Sequence, residues 1–182
     1  MGFPKRYAEL AARSRVPAGF AVAAAFLAMA RPTAPSLAAG AAIALLGLGL
    51  RAWAAGHLAK YESLSTSGPF AYLRNPLYVG TLTVGAGFAV AGARAGIGLL
   101  LVAFFVTLYL PVIEEEESYL RTKFPEYAEY ERRVPRLWPR LARGHPPGAR
   151  FRFDLYLRNQ EYQALAGFLV VMALLAAKKI YW

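Results

Sequence analysis

Residues 77–113 read LYVGTLTVGAGFAVAGARAGIGLLLVAFFVTLYLPVI and carry one charge, Arg94. Arg94 divides the stretch into the uncharged runs Leu77–Ala93 and Ala95–Ile113, of 17 and 19 residues. A helix crossing the hydrocarbon layer needs ~20 apolar residues, with ~17 near the lower limit. The pair therefore reads as two membrane helices joined by a short turn at Gly92–Gly96. Three further uncharged runs lie outward from it: Val16–Ala30, Ser36–Leu50 and Ala164–Ala177, of 15, 15 and 14 residues. Each is short alone and needs its flanks. Trp53, Ala54 and Ala55 prolong the second beyond Arg51, and the stems of Lys178 and Lys179 can snorkel at the end of the last, ahead of the interfacial Tyr181 and Trp182. The expected fold is all-α: a polytopic membrane helical bundle of about five transmembrane helices, one domain over 1–182, with a cytoplasmic helical extension and a basic cytoplasmic loop.

The chain is 57% apolar yet has a formal net charge of +10. A nucleic-acid binder or a membrane protein with a basic inner face fits those numbers, and the apolar runs favour the membrane, so no nucleic-acid partner is expected. Seventeen Lys and Arg fall in Met1–Arg15, 51–76 and 114–161, against Arg31, Arg94, Lys178 and Lys179 elsewhere. That bias places the N-terminus and both large polar segments in the cytoplasm. Lys5, Arg6 and the run to Ala30 also have the outline of a signal peptide, but the polytopic remainder favours a retained span. With no cysteine and only His57 and His145, no disulfide, thiolate nucleophile or metal site is expected.

Smaller features follow in chain order. Tyr7, Leu10 and Ala11 share a face that could lie on the membrane surface. Arg31–Pro35 is a tight turn, so runs one and two are expected to form a hairpin; Gly40, Gly47 and Gly49 suit close helix packing. Gly85 and Gly87 read either as packing residues or as places where a ligand nears the backbone. Arg132–Arg158 contains eight arginines, and Gly144–Gly148 breaks regular structure there. Phe151–Arg158 alternates apolar and polar like a strand, but beside a membrane it reads as an interfacial segment.

Two polar blocks stand out. The first is Ser67-Gly68-Pro69-Phe70-Ala71-Tyr72-Leu73-Arg74-Asn75-Pro76-Leu77-Tyr78-Val79-Gly80. Pro76 suits a first helical turn, Asn75 the N-cap, and Arg74 stands at the helix's positive end, facing an anion or the membrane surface. The second is Glu114-Glu115-Glu116-Glu117-Ser118-Tyr119-Leu120-Arg121-Thr122-Lys123-Phe124. Four glutamates at the end of a membrane run indicate that the helix continues beyond it, with Glu117 and Arg121 an i, i+4 pair. They form a solvated face or a site for a cation. Phe124, Tyr127 and Tyr130 recur every three residues in an amphipathic helix under the membrane. His57 titrates near neutrality and is either polar surface or a ligand.

These two blocks resemble the isoprenylcysteine carboxyl methyltransferase and phospholipid methyltransferase group of integral membrane proteins. The resemblance covers 51–139 and rests on Gly68–Gly80, then Glu116-Glu117-Ser118-Tyr119-Leu120 with Phe124, Tyr127, Tyr130, Val134 and Pro135. The group has Arg-His-Pro-x-Tyr in the first block; here Asn75 replaces the histidine. The resemblance implies methyl transfer from S-adenosylmethionine to a lipophilic acceptor drawn from the bilayer: an isoprenylcysteine-like carboxylate, a phospholipid amine or another lipophilic small molecule. It also implies a prokaryotic inner membrane. Glu116, Glu117 and Arg121 become the expected catalytic residues. His57, Arg74, Asn75, Tyr78, Gly85, Gly87, Glu116 and Glu117 become the expected cofactor contacts. An NADPH-dependent membrane reductase of the sterol-reductase kind, or a non-enzymatic membrane subunit, shares the architecture.

Overall fold

Gly40 and Gly47 on one helix, and Gly80 and Gly87 on another, let two backbones touch. The helices are α2 (Ala34–Ala55) and the antiparallel α3 (Pro76–Ala91). A methyl group on Gly40 would lie 2.6 Å from the Ala91 nitrogen and against the Gly87 carbonyl, and one on Gly47 would lie 2.7 Å from the Gly80 carbonyl. Small residues give this approach where lipid offers no hydrophobic drive to bring helices together. The structure, a computed structural model, describes residues 3–60, 62–139 and 150–181. Among them every regular element is helical, in the order α1 (Lys5–Met29), α2, a 3-10 turn (Gly68–Ala71), α3, α4 (Ala95–Phe104), a π turn (Phe105–Tyr109), α5 (Leu110–Lys123), α6 (Tyr127–Arg133), α7 (Phe153–Arg158) and α8 (Tyr162–Tyr181). Gly144–Gly148 and Trp182 lie outside the described residues.

Among the described residues, four helices are long and apolar enough to cross a membrane: Arg6–Met29, Ala34–Ala55, Ala95–Lys123 and Tyr162–Tyr181. The fifth expected span, α3, has 16 residues. At 1.5 Å per residue it is about 24 Å long, short of the ~30 Å layer. It stops at Ala91 because Gly92 ends the helix and Ala93 turns into positive φ. The runs that looked short are the long helices: α1 has 25 residues and α8 has 20. Phe151–Arg158 forms the short helix α7 despite its alternation.

The segment around Tyr7 belongs to α1 rather than to a separate surface helix. Ala8 and Ala11 are buried, and α1 packs along α4, the π turn and α5 instead of pairing with α2. Pro111 explains one contact. It has no N–H for the carbonyl four residues back, Thr107. The helix loosens there into the π turn, with the Leu110 N–H donating to Phe105 O, and the Tyr7 hydroxyl donates to Thr107 O at 2.8 Å.

At the bundle end opposite the polar segments, Phe26, Ala30, Ala91, Ile97 and Leu175 form one apolar cluster. Thr33 and Ser36 cap α2 reciprocally, and the Ser36 hydroxyl also donates to Ala91 O. Lys178 Nζ donates to the Leu27 and Ala28 carbonyls at 2.6 and 2.9 Å, satisfying the end of α1. Gly40→Leu is expected to separate α2 from α3 and cost about 1–3 kcal/mol or more. Gly49→Leu, into open space, is expected to be nearly neutral. Thermal unfolding of the two variants in detergent compares them.

Candidate functional site

Asn75 stands at the start of α3, but its side chain does not cap the helix. Its Nδ2 donates to Glu117 Oε1 at 2.9 Å and to the Arg136 carbonyl at 3.3 Å. The reason is the burial of Glu117, which is 1% exposed. A carboxylate removed from water must gather donors and opposite charge. Arg136 supplies both, with Nε and Nη2 donating to Glu117 Oε2 at 3.0 and 2.6 Å. Arg74 and Arg121 stand farther off, at 3.6 and 3.9 Å.

A second carboxylate, Glu131 on α6, completes the cluster. It accepts from Arg74 Nη1 at 3.2 Å and from Arg121 Nε at 2.8 Å. The Tyr127 hydroxyl accepts from Arg74 Nη1 at 3.4 Å. Burial, then the charge of Glu117, pushes the Tyr127 phenol up to about 12, so it stays protonated at neutral pH. Beneath the charges, Tyr127, Tyr130 and Val134 pack with Leu64, Leu120 and Phe124. Two bonds tie this layer to the first block: Tyr130 OH donates to Phe70 O at 2.7 Å, and the Arg74 N–H donates to Pro135 O at 2.9 Å. Three guanidiniums meet two carboxylates, leaving one positive charge in excess. Arg74 Nε is buried with no hydrogen-bond partner among the described residues.

Arg74, Asn75, Glu117 and Arg121 are thus gathered into one network. Tyr78 and Glu116 form a neighbouring group. Glu116 is exposed on α5 beside Tyr78, with Arg15 and Lys60 close enough to act on it. The edge of one ring of the Tyr78–Tyr109 pair meets the face of the other, with centroids 5.8 Å apart, joining α3 to the π turn. Gly87 is a helix contact: a methyl there would lie 2.6 Å from the Ala44 nitrogen and the Gly40 carbonyl. Gly85 faces Leu101 at van der Waals distance. His57 sits at another seam. Its Nδ1 is 3.1 Å from Ser67 Oγ, its ring lies against Gly68 (φ +58°), and Phe151 approaches it edge-on. Only glycine combines that φ with so close a ring. Burial lowers the His57 pKa, which favours the neutral imidazole.

Arg136 and Glu131 are the partners that the sequence did not single out. Arg136 read as one of eight arginines in a headgroup loop, although Val134-Pro135 just before it marks a chain turn that returns it to the helix end. Among the described residues no three His, Cys, Asp or Glu side chains cluster as a metal site. Removing the Glu117 charge takes from Arg136 its carboxylate and weakens the buried acceptor of Asn75, so Glu117→Gln is expected to cost about 1–3 kcal/mol. Glu115→Gln, on the exposed face, is expected to stay within about 0.5 kcal/mol. Chemical unfolding of the two purified variants checks the difference.

Residues 36–127 match the phospholipid methyltransferase family. Two curated relatives are similar to half or more of the chain. The cobalt-zinc-cadmium resistance protein CzcN of Cupriavidus metallidurans is 36% identical over 105 residues, which are 57% of this chain and 47% of that protein. The nickel-cobalt-cadmium resistance protein NccN of Alcaligenes xylosoxydans xylosoxydans is 33% identical over 94 residues, 50% of this chain and 44% of that protein. The chain thus spans about half the length of these relatives. No solved structure matches it. The matched stretch holds both polar blocks and most of the network that joins them, and the chain belongs to the phospholipid methyltransferase family.

Proposed function

We propose that this protein transfers a methyl group from S-adenosylmethionine to a lipophilic acceptor in the membrane. Family membership supplies the reaction class. The observation that carries the reading to this chain is the convergence of Arg74 and Asn75 with Glu117, Arg121 and Arg136 at the polar ends of α3 and α5.

The residues present fit such a donor. Its carboxylate suits Arg74, whose buried Nε lacks a partner inside a cluster of net positive charge. Its cationic end suits Glu116, which is exposed, better than Glu117, whose two oxygens are already taken by Asn75 and Arg136. Tyr78, half-buried beside Glu116, offers a ring and a hydroxyl to the nucleoside. When bound, the donor supplies a methyl group on a sulfonium, open to in-line displacement by the acceptor.

Arg121 is 43% exposed at the edge of the cluster and is suited to the acceptor's head group. A carboxylate acceptor is already ionised and needs no base, whereas an amine acceptor would give its proton to a group such as Glu116. The bias of 17 cationic residues against four supports a cytoplasmic placement of this end of the bundle.

Calorimetric titration of the detergent-purified protein with S-adenosylhomocysteine, alongside NADPH, tests the reading. Saturable binding of the former alone is expected. Glu116→Gln is expected to weaken it about 10-fold or more, the loss of one charged contact. Binding of NADPH alone would replace the proposal with a reductase. Binding of neither would favour a non-enzymatic membrane subunit.

A further inference from the structure

Between α2, α7 and α8 lies an open groove of about 200 Å³. Leu45, Leu48, Gly49 and Ala52 form its α2 wall, while Tyr156, Glu161 and Leu165 form the other. We infer that this groove holds the hydrocarbon chain of the lipophilic methyl acceptor, with the Arg51–Glu161 ion pair as the polar stop at its inner end. The inference rests on the methyltransferase reading and adds to it a place and a chemistry for the acceptor's tail.

Three observations carry it. First, the α2 and α8 walls are helices of membrane-crossing length, so the groove runs along the membrane-spanning part of the bundle. From Leu45 to Ala52 the α2 wall runs about 10 Å along the axis, lined by apolar side chains and by Gly49, where a side chain would meet nothing within 4 Å. Second, one end is polar, and that polarity is built in. Glu161 is only 7% exposed, and both its oxygens accept from Arg51. A chain lying in the groove therefore has one direction: tail toward Leu45, head toward Ala52 and Glu161. Third, the residue that closes that end is hydrogen-bonded to α3, the helix that opens at the candidate site. Arg51 Nη1 also donates to the Leu77 carbonyl and to Thr81 Oγ1 on the first turns of α3. Arg51 thus bridges the groove to the helix that begins at Asn75 and carries Tyr78.

Three of the seven lining residues lie outside the stretch that matches the family. Tyr156, Glu161 and Leu165 follow residue 127, where the match ends.

The test uses the full chain in nanodiscs of phosphatidylethanolamine and phosphatidylglycerol carrying a trace of phosphatidylethanolamine with a diazirine in one acyl chain. Photolabelling is expected to concentrate on peptides containing Gly49, Ala52 and Leu165. Gly49→Trp and, from the opposite wall, Leu165→Trp are each expected to reduce that labelling at least 5-fold. In the same preparations, transfer of labelled methyl from S-adenosylmethionine into the chloroform-soluble fraction is expected to fall at least 5-fold, with S-adenosylhomocysteine binding unchanged. Labelling spread evenly over the lipid-facing residues of α8 and indifferent to both substitutions would overturn the groove. Groove labelling lost without any fall in methyl transfer would show a resident lipid and overturn the assignment to the acceptor. Failure of the unsubstituted protein to bind S-adenosylhomocysteine would instead overturn the methyltransferase reading, and the labelling pattern would still decide whether the groove takes a chain.

Discussion

A single buried carboxylate, Glu117, organises the polar end of this protein. Taking such a charge out of water costs several kcal/mol unless donors and cations replace its hydration. Here the replacements come from two separate parts of the chain: Asn75 at the start of α3, and Arg136 beyond α6. The demand of one carboxylate therefore fixes the first block, the end of α5 and the turn after α6 against one another. Tyr127 and Tyr130 supply the apolar floor, and the Arg74 N–H bonded to Pro135 O pins the chain at the crossing. The cluster keeps one positive charge in excess, and Arg74 Nε has no partner among the described residues.

The rest of the bundle positions that cluster. The α2–α3 contact is set by glycine on both faces, so α3 has little freedom to slide and Asn75 has a defined height. On the other side, the irregularity imposed by Pro111 is absorbed by α1 through the Tyr7 hydroxyl. The π turn carries Tyr109 against Tyr78, next to Glu116. Local loosening of a helix, a proline and an aromatic pair thus coincide at the candidate site. A π turn inside an α-helix is a feature frequently found at such places.

The all-helical membrane architecture was legible because apolar runs without charge admit few other readings. Span lengths were less so. Counting uncharged residues understated α1 and α8, whose ends hold Arg6, Arg13 and Lys178, and overstated α3, where Ala93 adopts a positive φ no count detects. The two polar blocks and their pairing were visible in Arg74, Asn75, Glu117 and Arg121. Which glutamate is buried was not, since Glu114 to Glu117 are identical in type and only helix phase separates them. Arg136 was hidden among other arginines, and Glu161 by its distance of 110 positions from Arg51. Asn75 read correctly as a helix-start residue, but its side chain answers the stronger demand of Glu117 instead of the helix's own N–H groups.

The central claim is that Asn75 and Glu117 interact directly and hold the two blocks together. A double-mutant cycle on the unfolding free energy, with Asn75→Ala, Glu117→Ala and the pair, measures this. A hydrogen bond to a charged group in a buried setting predicts a coupling of about 1.5–3 kcal/mol. Additive effects, with a coupling below about 0.5 kcal/mol, would contradict the account.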